Sequence, residues 1–518
     1  MHMTHALQRA LLLHPDRLVT IFRDRRRNYR EFGERVARLA GALQALGMQP
    51  GDRVGMLGLN SDWYFEYVLG TWWGGGVING VNTRWSVPEI VYSLDDCDTR
   101  ILLVDDNFLA MAEDIRRSAK VAPVLIHVGD GLAPDGMLSY EQLLREARPV
   151  EDCQRGGTDL ASIMYTGGTT GHPKGVMHSH QNIWSMLMAR LAGHPIEEGA
   201  VVLHVAPMFH AAALAAVLLQ YMMDLPHVFM PGFEPVELMQ TIQREQVRET
   251  LLVPVMLQVI LTHPEFHRYD LSSLKSMVYG AAPISPALMN LALEHLPGLE
   301  FTQGYGMTET TSGVVFNGPE NHSAAGVASG RIRAAGQPGI SVLARIVDEQ
   351  GEEVPRGSVG EILLRGPQIM LGYWNRPEET AQALRGGWMH TGDAGYMDDE
   401  GYIYIVDRVK DMIVSGGENV YSAEVEGAIA SHPAVALSAV IGIPHAKWGE
   451  AVHAVIVLKP GTRAEGEEII EHCRRFIAGY KCPKTVEFRE ALPLSAAGKI
   501  LKRDLRSPYW KDQQRAVN

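Results

Sequence analysis

The chain has little cysteine, no long apolar run and no excess of basic charge, and each shortage closes a class of function. Its four cysteines, Cys97, Cys153, Cys473 and Cys482, show no CxxC spacing. Neither a zinc site nor a disulfide framework is therefore indicated, and a reducing, cytoplasmic setting is expected. The sequon Asn321-His322-Ser323 reads as a chance match in that setting. The longest apolar stretch, 211–223, is interrupted by Gln220 and falls short of the ~20 residues that a membrane helix needs. No basic segment leads into a long apolar core at the start, so a signal peptide is not expected. A net charge of -13 argues against a general nucleic-acid role, because phosphate backbones demand a basic surface. The local exception is Arg23, Arg25, Arg26, Arg27 and Arg30. Such a run reads as the solvated tip of a hairpin in preference to a lipid contact.

What is present is ordinary in bulk and unusual in detail. The 518 residues are 46% apolar and 21% charged, a soluble globular composition too long for one core. Residues 18–22 read as a strand. Asn28 with Glu31 resembles a capping box that opens a helix, in which Phe32, Val36, Leu39, Ala40 and Leu43 recur at helical spacing before Gly47. A strand at 53–57, a helix at 63–73 and a strand at 101–104 continue the alternation, the pattern of α/β sheets with helices on their faces. From about residue 340 the texture changes to short strands at 342–347, 361–365 and 402–406. Beyond the charged break 407–411, a helix at 423–429, strands at 436–441 and 451–458 and a helix at 467–477 form a compact tail. The expected fold is thus α/β: an N-terminal domain, 1–409, of two α/β sheet subdomains plus a small β-rich one, and a small α+β C-terminal domain, 410–518.

The stretch 165–175 packs four glycines, three threonines and one lysine into eleven residues, directly after an apolar run. Glycine is a poor helix or strand interior residue. The segment is well suited to presenting backbone N–H groups and hydroxyls to an anion, with Lys174 supplying full charge. It is not a Walker A loop, since Lys174 follows Pro173 and precedes Gly175, and Gly304-Tyr305-Gly306 does not extend to GxGxxG because position 309 is Glu309. Two further glycine-bearing segments, Gly280-Ala281-Ala282-Pro283 and Gly304-Tyr305-Gly306-Met307-Thr308-Glu309, each follow a short strand. Ligands of parallel sheets bind at the carboxyl ends of strands, so both point to one site. His210 follows the strand-like run 201–205, and the small residues Ala211 to Ala213 could admit a slender substrate or pack two helices closely. His172, His178 and His180 have no carboxylate partner or helical spacing that would make them metal ligands.

Eight segments in order, 165–175, 207–210, 280–283, 303–309, 390–393, 407–410, 415–419 and 498–499, resemble the adenylate-forming acyl-CoA synthetases, the superfamily that includes 4-coumarate–CoA ligase and firefly luciferase. The resemblance is to a bacterial acyl-CoA synthetase of the fatty-acid type. It implies a ligase that joins a carboxylate to AMP from ATP, releases pyrophosphate and passes the acyl group to CoA. It further implies that Thr166, Gly167, Gly168, Thr169, Thr170, Gly171 and Lys174 hold the β- and γ-phosphates, and that Glu309 ligates Mg²⁺ with Thr308 near the α-phosphate. Tyr305 would stack on adenine beside Gly280, Ala281, Gln303 and Gly304; Asp393 and Arg408 would hold the ribose. His210 would lie at the acyl junction, and Lys499 would serve as the adenylation lysine. Lys410 would mark a hinge about which the small domain rotates, bringing Gly416 and Gly417 toward the pantetheine of CoA. Gly167 departs from the Ser or Thr common in relatives, which removes one hydroxyl from the loop. The implied substrates are ATP, CoA and a medium- or long-chain fatty acid, with an arylpropenoate of the coumarate or ferulate type, or an acyl group destined for a carrier protein, as alternatives. A homodimer is compatible with the resemblance.

Overall fold

The computed structural model describes residues 1–166, 173–193, 196–280, 282, 284–408, 411–415, 418–494 and 500–511. The chain divides into two compact units, one of Met1–Leu343 with Arg365–Gly387 and one of Ala344–Leu364 with Trp388–Asn518.

The first unit holds two large sheets. In one, Leu18–Phe22, His227–Phe229, Val202–His204, Glu249–Leu252, Ser276–Gly280 and Glu300–Gly306 run parallel as neighbours. In the other, Arg53–Leu57, Val77–Gly80, Ile101–Asp105 and Val124–Val128 are parallel, and Leu160–Thr166 joins beside Val77–Gly80. Strands such as Arg53–Leu57 and Ile101–Asp105 are apolar and buried over most of their length, as strands covered on both faces must be. The helix Tyr29–Ala45 begins on the expected capping box: the Glu31 amide donates to Asn28 Oδ1 at 2.9 Å and the Asn28 amide to Glu31 Oε2 at 3.3 Å. Gly47, at φ 99°, ends it where a side chain would be strained.

Every residue of the helix Asp62–Trp73 is buried, within a core that takes side chains from both sheets. That placement costs solvation for Asp62 and Glu66, and the arginine cluster supplies the compensation. Arg25 donates to both carboxylate oxygens of Asp62, at 2.7 and 2.9 Å, and lies 3.9 Å above the Trp63 ring. Arg27 also pairs with Asp62, and Arg35 donates to Glu66 at 2.6 Å and to Glu141 at 2.7 Å. The hairpin Leu18–Phe22/Arg25–Asn28 is as expected, but the solvated-tip reading of the whole run is corrected. Alternation along the strand turns Arg25 and Arg27 toward the buried acids, while Arg26 pairs with Glu245 at the surface.

In the helix Ala211–Met222, Ala211 and Ala213 are buried and Ala212 is exposed. The helix packs against His180–Gly193.

In the second unit, Leu343–Val347, Gly360–Arg365, Met389–Met397 and Ile403–Arg408 lie in that order in one small sheet. Glu418–Val420, Ile413–Ser415, Gly449–Leu458 and Val435–His445 form another, with Thr485–Phe488 parallel to Gly449–Leu458. The helices Ser422–Ala430 and Gly466–Arg474 bury Val425, Ile429 and Ile469 against Val440 and Val452. Each expected element of this half is present, with boundaries moved by a few residues. The small sheet clusters with the C-terminal residues in this unit. Among the described residues no helix is long and apolar enough to cross a membrane.

Asp62→Ala should strand Arg25 and Arg27 without their shared carboxylate. The urea-unfolding transition of this variant is expected to move down by about 3–5 kcal/mol, the cost of breaking a buried ion pair from one side. A shift below about 1 kcal/mol would show the pairing to be worth no more than a surface bridge.

Candidate active site

The glycine-rich stretch is a hairpin at its base. Leu160–Thr166 pairs antiparallel with Lys174–Ser179, with Thr166 opposite Lys174 and Tyr165 opposite Gly175. Tyr165 anchors the first strand by donating its hydroxyl to Asp96 Oδ2 at 2.7 Å. The short strand Gly372–Tyr373 adds to the second, and the Trp374 amide donates to the Gly175 carbonyl at 2.7 Å. This register puts Tyr373 against Lys174, whose Nζ lies 4.7 Å from the centre of the tyrosine ring, a cation–π distance.

The two glycine-bearing strand ends meet. Ser276–Gly280 and Glu300–Gly306 are parallel neighbours with Gly280 opposite Gly304 and Tyr279 opposite Gln303. A Cβ on Gly280 would stand 2.6 Å from the Gly304 carbonyl oxygen, so glycine is what lets the strand ends approach. After Gly306 the chain folds into the short turn Thr308–Thr310, and Thr311 takes a left-handed φ of 68°. That conformation is costly for a β-branched residue. The Thr311 hydroxyl holds it by donating to the Gln368 carbonyl at 2.6 Å.

Glu309 is fixed at both ends. Its carbonyl accepts from the Met370 amide at 2.9 Å, and its Oε1 accepts from the Tyr373 hydroxyl at 2.8 Å. One tyrosine therefore engages both charges that the sequence singled out, Lys174 through its ring and Glu309 through its hydroxyl. Below them, buried His178 donates from Nε2 to the Thr308 carbonyl at 2.7 Å, while its Nδ1 faces the Ser162 hydroxyl at 3.0 Å. A carbonyl can only accept, so Nε2 carries the proton. His178 thus ties the hairpin to the Thr308–Glu309 turn, and among the described residues no cluster of three or more His, Cys, Asp or Glu is placed to hold a metal ion.

His210 stands at the N-terminus of Ala211–Met222, its ring 4.3 Å from that of Phe209. Asn60 pins the preceding turn, donating to the Ala206 carbonyl at 2.8 Å and accepting from the Met208 amide at 2.8 Å. Tyr305, half-buried, sits opposite Val315 in the strand pair Glu300–Gly306/Gly313–Asn317.

In the second unit, Asp393 and Arg408 are cross-strand partners, with Arg408 Nε 2.6 Å from Asp393 Oδ1. The Thr391 hydroxyl receives the Asp393 amide at 3.1 Å and donates to the Ile362 carbonyl at 2.7 Å. Asp407, next to Arg408, accepts from the Ser422 hydroxyl at 2.6 Å, and Lys502 Nζ reaches Glu426 at 2.8 Å and Ser422 Oγ at 2.5 Å. Burial works against the Lys502 charge, but Glu426 and Asp407 outweigh it and raise its pKa. The expected site residues Gly167, Gly168, Thr169, Thr170, Gly171, Ala281, Gly416, Gly417 and Lys499, and the hinge residue Lys410, lie outside the described residues.

Sequence reasoning missed Tyr373, His178 as a strut, and Asn60. Tyr373 had a usable signal in its Gly372-Tyr373-Trp374 context; Asn60 and His178 had none, because their partners are distant in the chain.

An α/β unit with a glycine-rich hairpin, a cation and a fixed carboxylate at adjoining strand ends defines a class that handles nucleotide phosphates. Comparison makes the class specific. Residues 7–374 match the AMP-binding enzyme family, and residues 424–499 match the AMP-binding enzyme C-terminal domain. A feruloyl-CoA synthase of Amycolatopsis sp is 40% identical, over 93% of this chain and 94% of its own. The long-chain-fatty-acid–CoA ligase FadD13 of Mycobacterium tuberculosis is 35% identical over 94% of each. Among solved structures, the anthranilate CoA ligase AuaEII in complex with anthranoyl-AMP superposes with a TM-score of 0.89 at 30% identity, covering 98% of this chain and 97% of that one. ATP-bound MatB from Rhodopseudomonas palustris gives 0.88 at 30%, over 99% of both. The chain belongs to the adenylate-forming acyl-CoA synthetase family and is a ligase.

The strut makes a pH prediction. Burial holds His178 down at about 4, against 6.5 in an exposed chain, with the Thr308 contact opposing. Between those values the unfolded chain binds the extra proton, so this contribution is complete above 6.5 and is lost as pH falls toward 4. His180, also held at about 4, adds in the same direction. His178→Gln should remove close to one proton from the slope of unfolding free energy against pH, measured in urea from about pH 7.5 to about pH 5. An unchanged slope would show that His178 is charged in the folded protein.

Proposed function

We propose that this protein is an ATP-dependent carboxylic acid–CoA ligase that works through an acyl-AMP intermediate, releasing pyrophosphate and then AMP. The observation that carries the reading is the placement of Lys174 and Glu309 on the two sides of Tyr373, at the base of the glycine-rich hairpin. A carboxylate approaching the α-phosphate of a polyanion meets repulsion that the site must offset before the bond forms. In the proposal the hairpin segment, Thr166 through Lys174, takes the β- and γ-phosphates and then the departing pyrophosphate. Thr308 lies beside the α-phosphate, and Tyr305, Gln303, Gly304, Gly280 and Ala281 frame adenine. Asp393 accepts from the ribose hydroxyls with Arg408 beside it.

Mg²⁺ fits Glu309, a partly exposed carboxylate fixed through one oxygen. Mg²⁺ keeps several waters and is bound by one or two carboxylates plus substrate phosphates. When bound it would neutralise phosphate charge. Lys499 supplies the point charge shared by the attacking carboxylate and the α-phosphate, and Lys410 serves as the hinge that separates the two half-reactions, with domains at 1–409 and 410–518. Gly416 and Gly417 then face the CoA arm. His210 guards the acyl junction.

The acid in the proposal is a medium- or long-chain fatty acid, supported by the FadD13 likeness. The 40% identity to feruloyl-CoA synthase favours the second reading, an arylpropenoate. A panel of fatty and aryl acids, scored by pyrophosphate release with CoA present, separates the two. Acyl-AMP that accumulates without any thioester would refute the ligase proposal. Lys499→Ala should cut acid-dependent pyrophosphate release by about 10²-fold or more, and leave thioester formation from supplied acyl-AMP and CoA largely intact. Equal loss of both half-reactions would sink the division of labour.

A further inference from the structure

Asp393, which the proposal sets against the ribose hydroxyls, does not stand in a regular ladder. Along Gly360–Arg365, Glu361 pairs with Ala394 and Leu363 with His390. Ile362 alone therefore faces Thr391, Gly392 and Asp393, and the longer strand bulges. A bulge bends its strand and re-aims the side chains it carries. Gly392 takes a φ of 68° there, and a Cβ on it would meet nothing within 4 Å. It is thus the backbone conformation, and not crowding, that calls for glycine.

The extra residues of a bulge lose their ladder partners, and here side chains replace them. The Thr391 hydroxyl donates to the Ile362 carbonyl and receives the Asp393 amide. Glu361 holds the other half. Its Oε1 accepts from the Gly392 amide at 3.1 Å, and its Oε2 accepts from His390 Nδ1 at 2.8 Å. With both oxygens accepting, His390 Nδ1 carries the proton. One carboxylate thus grips the residue that enters the bulge and the glycine at its centre, immediately before Asp393. The Asp393 side chain is 6% exposed and is met from the neighbouring strand by Arg408 Nε at 2.6 Å. Its direction therefore depends on where the bulge places its backbone.

We infer that Glu361 is a positioning residue: by gripping the bulge at His390 and Gly392 it aims the Asp393 carboxylate at the ribose hydroxyls, and so sets the preference for a ribonucleotide over a dideoxynucleotide. The inference rests on the ribose reading of Asp393 and deepens it. A hydrogen bond to a carboxylate depends on direction as well as distance. A carboxylate released to turn keeps its charge and loses those bonds. Removal of Glu361 is therefore felt at the sugar hydroxyls, while contacts to the phosphates and the base stay as they were.

The test is calorimetric titration of the full chain with Mg²⁺ and either ATP or 2′,3′-dideoxy-ATP, which requires no knowledge of the acid. The wild-type protein should bind ATP roughly tenfold or more tightly than the dideoxynucleotide, the worth of at least one hydrogen bond to a charged group. In Glu361→Ala that ratio should fall to about threefold or less, with the dideoxynucleotide bound as tightly as before. Glu361→Gln should keep most of the ratio, since its amide oxygen can accept from Gly392 and its nitrogen can donate to the other tautomer of His390. If Glu361→Ala does not fold, Glu361→Asp, a methylene too short to hold both partners, should show the same fall. A Glu361→Ala protein that keeps the full ratio, whether or not it weakens both nucleotides alike, would overturn the inference and leave the ribose reading standing. A Glu361→Gln protein that falls as far as Glu361→Ala would also overturn it, because the grip would then not be what matters. Equal affinity of the wild-type protein for the two nucleotides would remove the ribose reading of Asp393, and this inference with it.

Discussion

A site that transfers to an α-phosphate needs a cation and an anion close together that do not spend their charge on each other. Tyr373 meets that constraint here. Its ring face takes the Lys174 ammonium and its hydroxyl donates to Glu309. A cation–π contact and a single hydrogen bond are both weak enough to be supplemented by a ligand. A direct bidentate pair would be less open to one. The second unit makes a different choice with Asp393 and Arg408, which contact each other at 2.6 Å. There the backbone of Asp393 is also held, its amide donating to the Thr391 hydroxyl.

The same chain also contains charges that are closed to ligands, and the contrast locates function. Asp62 and Glu66 are fully buried and served by Arg25, Arg27 and Arg35. Their oxygens are taken up by guanidinium donors, and Glu66 also receives the Tyr140 hydroxyl at 2.8 Å. Pairs of this kind cost solvation and are hard to break from one side. They hold a helix in the core and leave nothing over for chemistry.

The regular part of the fold was legible because it rests on local signals. The capping box at Asn28 and Glu31, the stop at Gly47, and the apolar strands at 53–57 and 101–105 each follow from neighbouring residues. Gly280 and Gly304 were legible as a pair of strand ends, since glycine at a strand terminus carries its own steric reason. The run of arginines misled because composition says how many charges there are and not which way a two-residue alternation turns them; the acids that turn Arg25 and Arg27 inward sit on a helix about 40 residues on. Tyr373 and His178 become functional only through cross-chain register, Tyr373 opposite Val176 and His178 below Thr308. No periodicity encodes such a meeting.

Register also bears on the C-terminal side. Asp407 precedes residues 409–410 in the chain and Ser422 follows them, yet the Ser422 hydroxyl and amide both donate to the Asp407 carboxylate. Lys502, in turn, spans Ser422 and Glu426 from a helix that begins just after the strand-like bridge between Leu494 and Ile500. The Asp407–Ser422 hydrogen bonds thus join residues on the two sides of 409–410, while the Lys502–Glu426 pair has both partners after them.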